Sequence, residues 1–436
     1  MADIINAIKG TRDFYGSEVQ RLAYIESCAL SAARSFGFGE LRTPVFEYTE
    51  LFGRGVGDTT DVVQKEMYTF TDKGDRSITL RPEGTAGVVR AFLEHGLYNE
   101  PLPQKLSYLT TCYRYEKPQS GRQREFRQFG AECIGSASPL ADYEVISLAH
   151  TFFDTIMLDD LRLELNSIGC PDCRKAYLDA LREYFTAHKD ELCPTCLDRL
   201  GRNPMRILDC KSPVCSAIAA NAPVVLDYIC DDCRNHFETL KSYLDAAQIE
   251  YTVNPQIVRG LDYYTRTVFE FVSCNEQTAG LVCCGGGRYD GLVQELGGAP
   301  LAACGFAVGL ERTLLAMQAA NVQFPEDPGC DLAVITAGSE ACVTAVKLAD
   351  ELRRDGYTVI IDLMERSVKA QMKYAGKMGA RYTVVIGTDE LQSGKAVLKN
   401  MQSSDKRDID LNDFAQDFER AVLSDGMGSI CDVSLL

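Results

Sequence analysis

The residues best suited to chemistry lie on a polar hairpin. Two apolar, strand-like runs flank a loop that holds a proline and a glycine, a pattern that indicates a long hairpin. Successive strand residues face opposite sides, so Gln128, Gly130 and Glu132 share one face, and Arg114 and Glu116 share a face of the preceding strand. A buried carboxylate or amide without a partner is costly, so we expect these groups to meet a ligand, for which the missing side chain at Gly130 leaves room. The alternative is a face that points outward into solvent.

A second polar group lies further along the chain, where a turn runs into an apolar strand. It combines Arg259 and Gly260 with the neighbouring pair Tyr263 and Tyr264. A glycine beside an arginine permits close backbone approach to a ligand, and tyrosine hydroxyls donate to or accept from polar substrate atoms. The alternative is structural, with arginines paired to nearby acids and tyrosines packed in a sheet.

A third group is rich in glycine. Cys284–Gly291 is followed by Gly305–Leu315, a strand, turn and helix pattern with Glu311 and Arg312 near the helix start. An arginine at that position is able to meet a phosphate, although a packing role for these residues is the simpler interpretation. The sequence has no phosphate-binding loop of the Gly-x-x-x-x-Gly-Lys-Ser/Thr type, so any ATP must bind in another way.

Cysteines provide a candidate metal site. The chain has 18 cysteines, and eight of them fall between Cys170 and Cys233. Cys170-x-x-Cys173 and Cys193-x-x-Cys196 have the spacing of a tetrathiolate zinc site. A possible second set follows, made of Cys210, Cys215, Cys230 and Cys233. Eight reduced, partly buried thiols are the alternative.

The elements that position these groups fall into two domains. A helix near Gln20–Phe36 and strands near Leu106–Tyr115 and Phe126–Ile134 predict an antiparallel sheet with helices around it, over residues 1–325. The cysteine-rich, helical stretch 169–248 is interpreted as an insertion into this domain, because strand-like sequence resumes after it.

The hydrophobic pattern of the sequence changes after a proline-containing stretch, Asn321–Pro328, which is interpreted as a linker. Strand-like and helix-like segments then alternate, which predicts a small α/β domain over 329–425 with a largely parallel sheet. The predicted segments are strands Leu332–Ile335, Thr358–Ile361 and Thr383–Ile386 and helices Glu340–Arg354 and Val368–Met378.

Composition limits the class of protein. With 436 residues, 46% of them hydrophobic, the chain is long enough for two or three packed domains. A formal net charge of −17 argues against a protein that coats nucleic acid, so any such contact needs local basic patches. No apolar run approaches the ~20 residues of a membrane span, and Met1–Asn6 lacks the features of a signal peptide. We therefore expect a cytoplasmic protein with reduced thiols.

Taken together, these segments resemble the histidyl-tRNA synthetase family of class II aminoacyl-tRNA synthetases, from residue 9 to about 400. The hairpin resembles class II motif 2 at Arg114, Glu116, Pro118–Gln119, Gly121–Arg122 and Phe126. Arg312 matches motif 3, and Pro44 within Arg42–Glu47 resembles motif 1. The segments typical of histidine-specific enzymes are Arg259–Tyr264 and Gly286–Gly291, with further matches at Lys9–Asp13 and Thr79–Thr85.

The resemblance implies an α+β fold, in which a class II antiparallel-sheet catalytic domain with a helical insertion precedes a C-terminal α/β anticodon-binding domain. It implies activation of L-histidine by ATP and Mg²⁺, transfer to tRNA(His), and a homodimer. Arg114 and Arg259 would be catalytic. The implied histidine-binding residues are Glu83, Gly84, Thr85, Arg114, Gln128, Glu132, Arg259, Tyr263 and Tyr264. The implied ATP-binding residues are Arg114, Glu116, Phe126 and Arg312.

Three rival interpretations stay open. The first is the non-catalytic paralogue that regulates ATP phosphoribosyltransferase, but it typically degrades the arginines of these motifs and lacks the anticodon domain. The second is a different amino acid specificity, which Arg259–Tyr264 and Gly286–Gly291 disfavour. The third is a pure interaction protein, which would leave the polar interior unexplained.

Overall fold

The computed structural model describes residues 4–57, 60–325 and 329–433. The chain forms two compact units, Met1–Phe324 and Pro325–Leu436. The end of the expected linker, 326–328, and residues 1–3 of the N-terminal segment lie outside the described residues. Within those described ranges, no helix is long and apolar enough to cross a membrane.

The first unit combines strands and helices. Its strands are β1 (Gly39–Glu40), β2 (Phe46–Tyr48), β3 (Tyr68–Thr71), β4 (Ser77–Leu80), β5 (Gln104–Tyr113), β6 (Glu125–Ile134), β7 (Leu161–Ser167), β8 (Thr252–Val253), β9 (Thr265–Ser273), β10 (Val282–Arg288) and β11 (Ala303–Gly309). Its α-helices are α1 (Ser17–Ser35), α2 (Thr49–Val56), α3 (Thr85–Glu94), α4 (Pro139–Thr155), α5 (Pro171–Ala187), α6 (Pro194–Arg202), α7 (Met205–Leu208), α8 (Pro213–Ala219), α9 (Asp231–Ala246), α10 (Leu292–Glu295) and α11 (Leu310–Ala319). Shorter turns are the π-helix Val62–Glu66 and the 3-10 helices Leu97–Asn99, Lys189–Glu191, Val225–Asp227 and Glu276–Thr278.

The main sheet has the order β1-β5-β6-β11-β10-β9-β7-β8. Its central pairs are antiparallel, and only the short outer strands β1 and β8 pair in parallel with their neighbours. The expected antiparallel sheet is therefore confirmed. A smaller sheet, β2-β4-β3, accompanies it.

Each face of the main sheet has its own core. On one face, α1, α4 and α11 pack around a cluster that includes Ile25, Phe152 and Leu314, all at most 2% exposed. Helix α9, which lies inside the expected insertion, also contributes Leu240 to this cluster. The other face meets α3 and the insertion helices through buried aromatic rings such as Tyr289. One face is thus sealed by helices, and the other carries the polar residues.

The second unit is a mixed sheet with helices. Its strands are β12 (Cys330–Thr336), β13 (Val359–Ile361), β14 (Ala380–Ile386), β15 (Lys395–Asn400) and β16 (Lys406–Asp410), and its helices are the 3-10 turn Ser339–Ala341, α12 (Cys342–Arg354), α13 (Val368–Lys377), α14 (Thr388–Ser393) and α15 (Phe414–Val433). The order is β13-β12-β14-β15-β16, parallel over the first three strands and antiparallel over the last two. The expectation of a largely parallel sheet missed β15 and β16, because both are rich in charged, exposed residues.

Candidate active site

Small residues form the floor of a groove across the main sheet. In register across five strands lie Glu270, Gly285, Ala307, Gly130 and Tyr108. A cleft of about 330 Å³ opens above Glu270, Gly285 and Ala307 of this row, whereas the ring of Tyr108 covers Gly130.

Most of the residues singled out in the sequence line this cleft, although they are spread from 83 to 312 along the chain. Those at its wall are Glu83, Thr85, Arg114, Glu116, Phe126, Gln128, Arg259, Tyr263, Tyr264 and Arg312. Gly84 and Glu132 lie behind the wall. Gly84 packs against the ring of Tyr108, which a Cβ on Gly84 would approach to 2.3 Å.

Arg259 lies over the glycine floor. A Cβ on Gly285 would come within 2.2 Å of the Arg259 guanidinium, so only glycine fits beneath it. Glu270 pairs with Arg259. Burial has the largest single effect and lowers the pKa of Arg259, but Glu270 and Tyr264 together outweigh it, so the pKa is raised. The Nε of Arg259 is buried and has no hydrogen-bond partner among the described residues, so one donor stays available.

Two further arginines are held in place by backbone carbonyls. Arg114 donates from Nε to the carbonyl of Pro82 at 2.8 Å, and its guanidinium lies 5.3 Å from the ring centre of Phe126. Arg312 donates to the carbonyls of Gly121 at 2.8 Å and Val282 at 3.0 Å. Neutral carbonyls fix these guanidiniums without cancelling their charge, and the Glu116 carboxylate, 3.9 Å from Arg114 and 3.5 Å from Arg122, offsets part of the positive charge at the cleft.

The groups around Arg312 also indicate positive charge at the cleft. Burial, together with the nearby guanidiniums of Arg122 and Arg114, lowers the pKa of Arg312. A bound anion would relieve that repulsion. Arg114 and Glu116 were expected on a strand, but β5 ends at Tyr113, so both lie in the loop of the hairpin. Their position in the loop places them at the cleft.

The start of α3 brings two predicted residues together. Glu83 accepts hydrogen bonds from the backbone N–H groups of Thr85 and Ala86, both at 2.8 Å, and so satisfies donors of the first helical turn. Its burial raises its pKa. Thr85 in turn donates from Oγ1 to Glu132 at 2.8 Å. A chain of hydrogen bonds therefore links the helix start to the sheet.

Glu132 is fully buried, with 0% exposure, so the outward, solvated alternative is wrong. Besides Thr85, it accepts hydrogen bonds from the hydroxyls of Tyr289 and Tyr108, the latter at 3.3 Å. Burial raises the pKa of Glu132 to about 8, against the opposing effect of these hydroxyl donors. A Cβ on Gly305, the cross-strand neighbour, would lie 1.8 Å from a Glu132 oxygen, so this glycine makes room for the carboxylate.

The expected use of Gly130 was wrong. The space left by its missing side chain holds the ring of Tyr108, whose Cζ atom a Cβ would approach to 2.2 Å. Sequence reasoning also missed Tyr289, which lies 5.4 Å from Tyr263 between ring centres and completes the tyrosine cluster around Glu132. The signal for Tyr289 was its place inside Gly286–Gly291; Tyr108 sits in an ordinary strand and gave none.

Arg288, in the same segment, has a structural role. It is fully buried and binds the Asp142 carboxylate and the carbonyls of Ser136 and Ser138. Asp142 also contacts His236 at 3.1 Å. These contacts tie β10 to α4 and α9 on the helical face, away from the cleft.

The expected grouping of the cysteines was also wrong. Cys170 and Cys173 lie with Cys230 and Cys233, whereas Cys193 and Cys196 lie with Cys210 and Cys215. Each group has all four sulfur atoms within 4.8 Å of one another. The two ends of the insertion meet at its base, and this closure pairs the first cysteine motif with the last one, which sequence spacing does not reveal.

The comparisons with known proteins agree with this geometry. A family model described as histidyl-tRNA synthetase matches residues 10–182 and 214–313, and one described as an anticodon binding domain matches 331–420. The curated histidine–tRNA ligase of Acetivibrio thermocellus is 52% identical over 409 residues, which cover 94% of this chain and 98% of that protein. That of Clostridium novyi is 52% identical over 408 residues, covering 94% and 97%.

A solved structure has the same fold. The crystal structure of apo histidyl-tRNA synthetase from S. aureus matches with a TM-score of 0.81 and 38% identity, over 95% of this chain and 100% of that one. With the family model, the relatives and this structure in agreement along nearly the whole chain, the protein belongs to the histidyl-tRNA synthetase family of class II aminoacyl-tRNA synthetases.

Proposed function

We propose that the cleft ligates L-histidine to tRNA(His). ATP activates the amino acid as histidyl-adenylate with release of pyrophosphate, and the histidyl group then passes to the 3′ end of the tRNA. The observation that supports this most directly is the convergence of Arg114, Arg259 and Arg312 on one cleft beside a buried carboxylate. Attack of a carboxylate on the α-phosphate needs positioning and positive charge more than a protein nucleophile.

The three arginines have different roles toward the phosphates of ATP. Arg259 and Arg114 stabilise charge that develops at the α-phosphate, and they hold the carboxylate of histidine near it. Arg312 and Glu116 orient ATP, and Phe126 offers an aromatic surface to its base. The support is that the guanidiniums of Arg114 and Arg312 are already fixed by backbone carbonyls, so little reorganisation is needed during the reaction.

Mg²⁺ is a further expected participant, and the donor set fits it. Glu116 and Glu311 both present carboxylates at the cleft beside Arg312, and Mg²⁺ prefers such oxygen ligands together with substrate phosphates. Bound there, the ion would neutralise phosphate charge. Glu311 also accepts the backbone N–H of Arg127 at 2.9 Å, which fixes its side chain.

Histidine recognition is assigned to the tyrosine cluster. Glu132 and Tyr264 read the imidazole, with Tyr263 beside them, because a neutral imidazole has one N–H donor and one bare nitrogen acceptor. Glu83, Thr85 and Gln128 hold the amino group, and Gly84 keeps this turn close to Tyr108. Hydroxyl partners around Glu132, with no arginine among those described, support its role as an acceptor for the ligand.

The remaining partners follow from the family. The second unit binds the tRNA as an anticodon-binding domain, and the protein acts in the cytoplasm as a homodimer. Exposed aromatic side chains on the small sheet, Phe46, Tyr48 and Phe70, support an interface there, since such apolar surface is costly in water.

ATP–pyrophosphate exchange with each of the twenty amino acids tests this function. We expect exchange that depends on histidine and on no other amino acid. Histidine binding without exchange would instead favour the regulatory paralogue, and exchange with another amino acid would overturn the specificity.

A further inference from the structure

Eight cysteines of the insertion form two compact groups that the reaction does not use. The first cysteine cluster is Cys170, Cys173, Cys230 and Cys233, and the second cysteine cluster is Cys193, Cys196, Cys210 and Cys215. All eight are free thiols. Each cluster therefore brings four soft ligands together at one point.

The distances between sulfur atoms match a single small ion. Zinc binds thiolate sulfur at about 2.3 Å, so sulfurs at the corners of a tetrahedron lie about 3.8 Å apart. The separations are 3.4 Å for Cys170 and Cys173, 4.0 Å for Cys173 and Cys233, and 3.9 Å for Cys193 and Cys210. A disulfide requires about 2.05 Å, and an iron–sulfur cluster needs wider spacing for its own iron and sulfide.

The local backbone favours thiolates. Cys170, Cys193 and Cys230 each immediately precede a helix, and the second cysteine of each motif lies in its first turn. Helix N-termini stabilise thiolate charge. Backbone N–H groups also point at sulfur, from Cys230 to Cys173 at 3.0 Å and from Cys193 to Cys215 at 3.3 Å.

We propose that the insertion binds two zinc ions, one in each cysteine cluster, and that they position the segment 259–264 at the cleft. The positioning part rests on the proposed function. The first cluster closes the base of the insertion by joining residues some sixty positions apart. The second cluster holds α6, α7 and α8, which are too short to be stable without such support.

An arginine close in sequence to each cluster holds this segment. Arg174, next to Cys173, donates to the carbonyls of Asp262 and Tyr264. Arg206, on α7 and four positions before Cys210, donates to the carbonyl of Gly260 and pairs with Asp262 at 3.8 Å. A shift of either cluster is therefore transmitted to the backbone that carries Arg259 and Tyr264.

Metal content of the full chain, purified without chelators, tests the proposal. We expect about two zinc ions per chain, and cobalt substitution should give the absorption of tetrahedral thiolate sites. The exposed Cys342 of the second unit supplies a matched control, since Cys342→Ser should keep both ions. Less than about 0.2 zinc per chain, iron in place of zinc, or disulfides within the clusters overturns the proposal.

Double variants test the grouping. Cys170→Ser with Cys233→Ser should remove one zinc, whereas Cys170→Ser with Cys193→Ser should remove both. If the second variant lost only one ion, Cys170 and Cys193 would belong to the same site, as their spacing in the sequence suggested. If the variants do not fold, the cobalt spectrum and zinc content of the unmodified chain still decide whether metal binds.

Kinetics test the positioning. Loss of the first site should raise KM for histidine about tenfold and lower the adenylation rate, because the displaced segment carries Arg259 as well as Tyr263 and Tyr264. KM for ATP should stay within about twofold, because Glu116, Phe126 and Arg312 lie outside that segment. Unchanged KM for histidine in a zinc-deficient, folded variant overturns the positioning. Metal content is read without any activity, so failure of the proposed reaction leaves the zinc result standing.

Discussion

At the scale of single residues, the cleft depends on two ionisable groups, Arg259 and Glu132, whose partners lie within the protein. Arg259 faces the cleft with one unpartnered donor, and Glu132 lies behind it among hydroxyl groups. Conservative substitutions that keep size and change charge or shape are therefore informative.

Arg259→Lys should lower the rate of adenylation by about 100-fold, because lysine cannot reproduce the planar fork of guanidinium. Lysine still pairs with Glu270, so the fold should persist by circular dichroism. Arg162→Lys is the matched control, since Arg162 also pairs with a glutamate, Glu164, on a strand of the same sheet. An unchanged rate of ATP–pyrophosphate exchange in the Arg259 variant would remove this residue from the mechanism.

Glu132→Gln should change how stability depends on pH. The pKa of this carboxyl is 4.5 in the unfolded chain and about 8 in the folded chain. The folded state therefore binds more protons between these values, so the stability of the unmodified protein falls as pH rises through that window. One pKa unit corresponds to about 1.4 kcal/mol, so the effect amounts to a few kcal/mol.

Denaturant unfolding at pH 5.5 and 8.5 measures this effect. The Gln variant should show a smaller pH dependence in that window, while Glu100→Gln, at an exposed position, should keep that of the unmodified protein. The same variant should lower kcat/KM for histidine about 100-fold or more, since a site built around a substrate hydrogen bond suffers when that partner changes. Wild-type kcat/KM would contradict the assignment of Glu132 to the imidazole.

At the scale of elements, glycines on β10 and β11 let charged side chains lie against the sheet. Gly285 lies beneath Arg259, and Gly305 lies beside Glu132. Neither position has a positive φ that requires glycine. Glycine is needed at both positions for steric reasons, because a side chain at Gly285 would collide with Arg259 and one at Gly305 would collide with Glu132.

Gly285→Ala should displace the Arg259 guanidinium and lower the adenylation rate about tenfold or more, since small misplacement of a catalytic group is costly. Gly201→Ala is the control, because a Cβ at Gly201 meets no atom within 4 Å. Exchange assays and thermal unfolding of both variants separate rate from stability. If both alanine variants behave alike, the close packing of Arg259 on the strand does not matter for catalysis.

At the scale of the whole molecule, a negatively charged protein must bind a polyanion through a local patch. Helix α13 presents Lys369, Lys373 and Lys377, all exposed and spaced four residues apart, so they form one stripe. Such a stripe is suited to phosphate contacts, which carry much of the affinity for nucleic acid. If these lysines only form a solvated helix face, replacing them will leave tRNA binding unchanged.

Replacing these three lysines by alanine should weaken tRNA binding about tenfold and reduce its salt dependence, with exchange activity unchanged. The matched control replaces Lys347, Lys395 and Lys406, which are exposed elsewhere in the same unit and change the net charge equally. Measurements of tRNA binding at several salt concentrations distinguish the two triple variants. Equal loss in both variants would show a general charge effect and contradict a specific contact on α13.

The sequence alone determined the fold class and the family, because both depend on local patterns. Alternation of apolar residues indicated β5 and β6, and the spacing of glycine and arginine in Arg259–Tyr264 and Gly286–Gly291 carried the resemblance. Ten of the named cleft residues are found together in the structure. Their roles stay predictions until they are measured.

Only the tertiary structure decided which groups meet. Tyr108 fills the space at Gly130, Tyr289 joins Glu132, and the first cysteine motif of the insertion pairs with the last. Each of these contacts joins residues far apart in the chain. Sequence spacing constrains neighbours along one helix or strand, but partners across a sheet or at a closed loop depend on register and topology, which the packing of the whole core fixes.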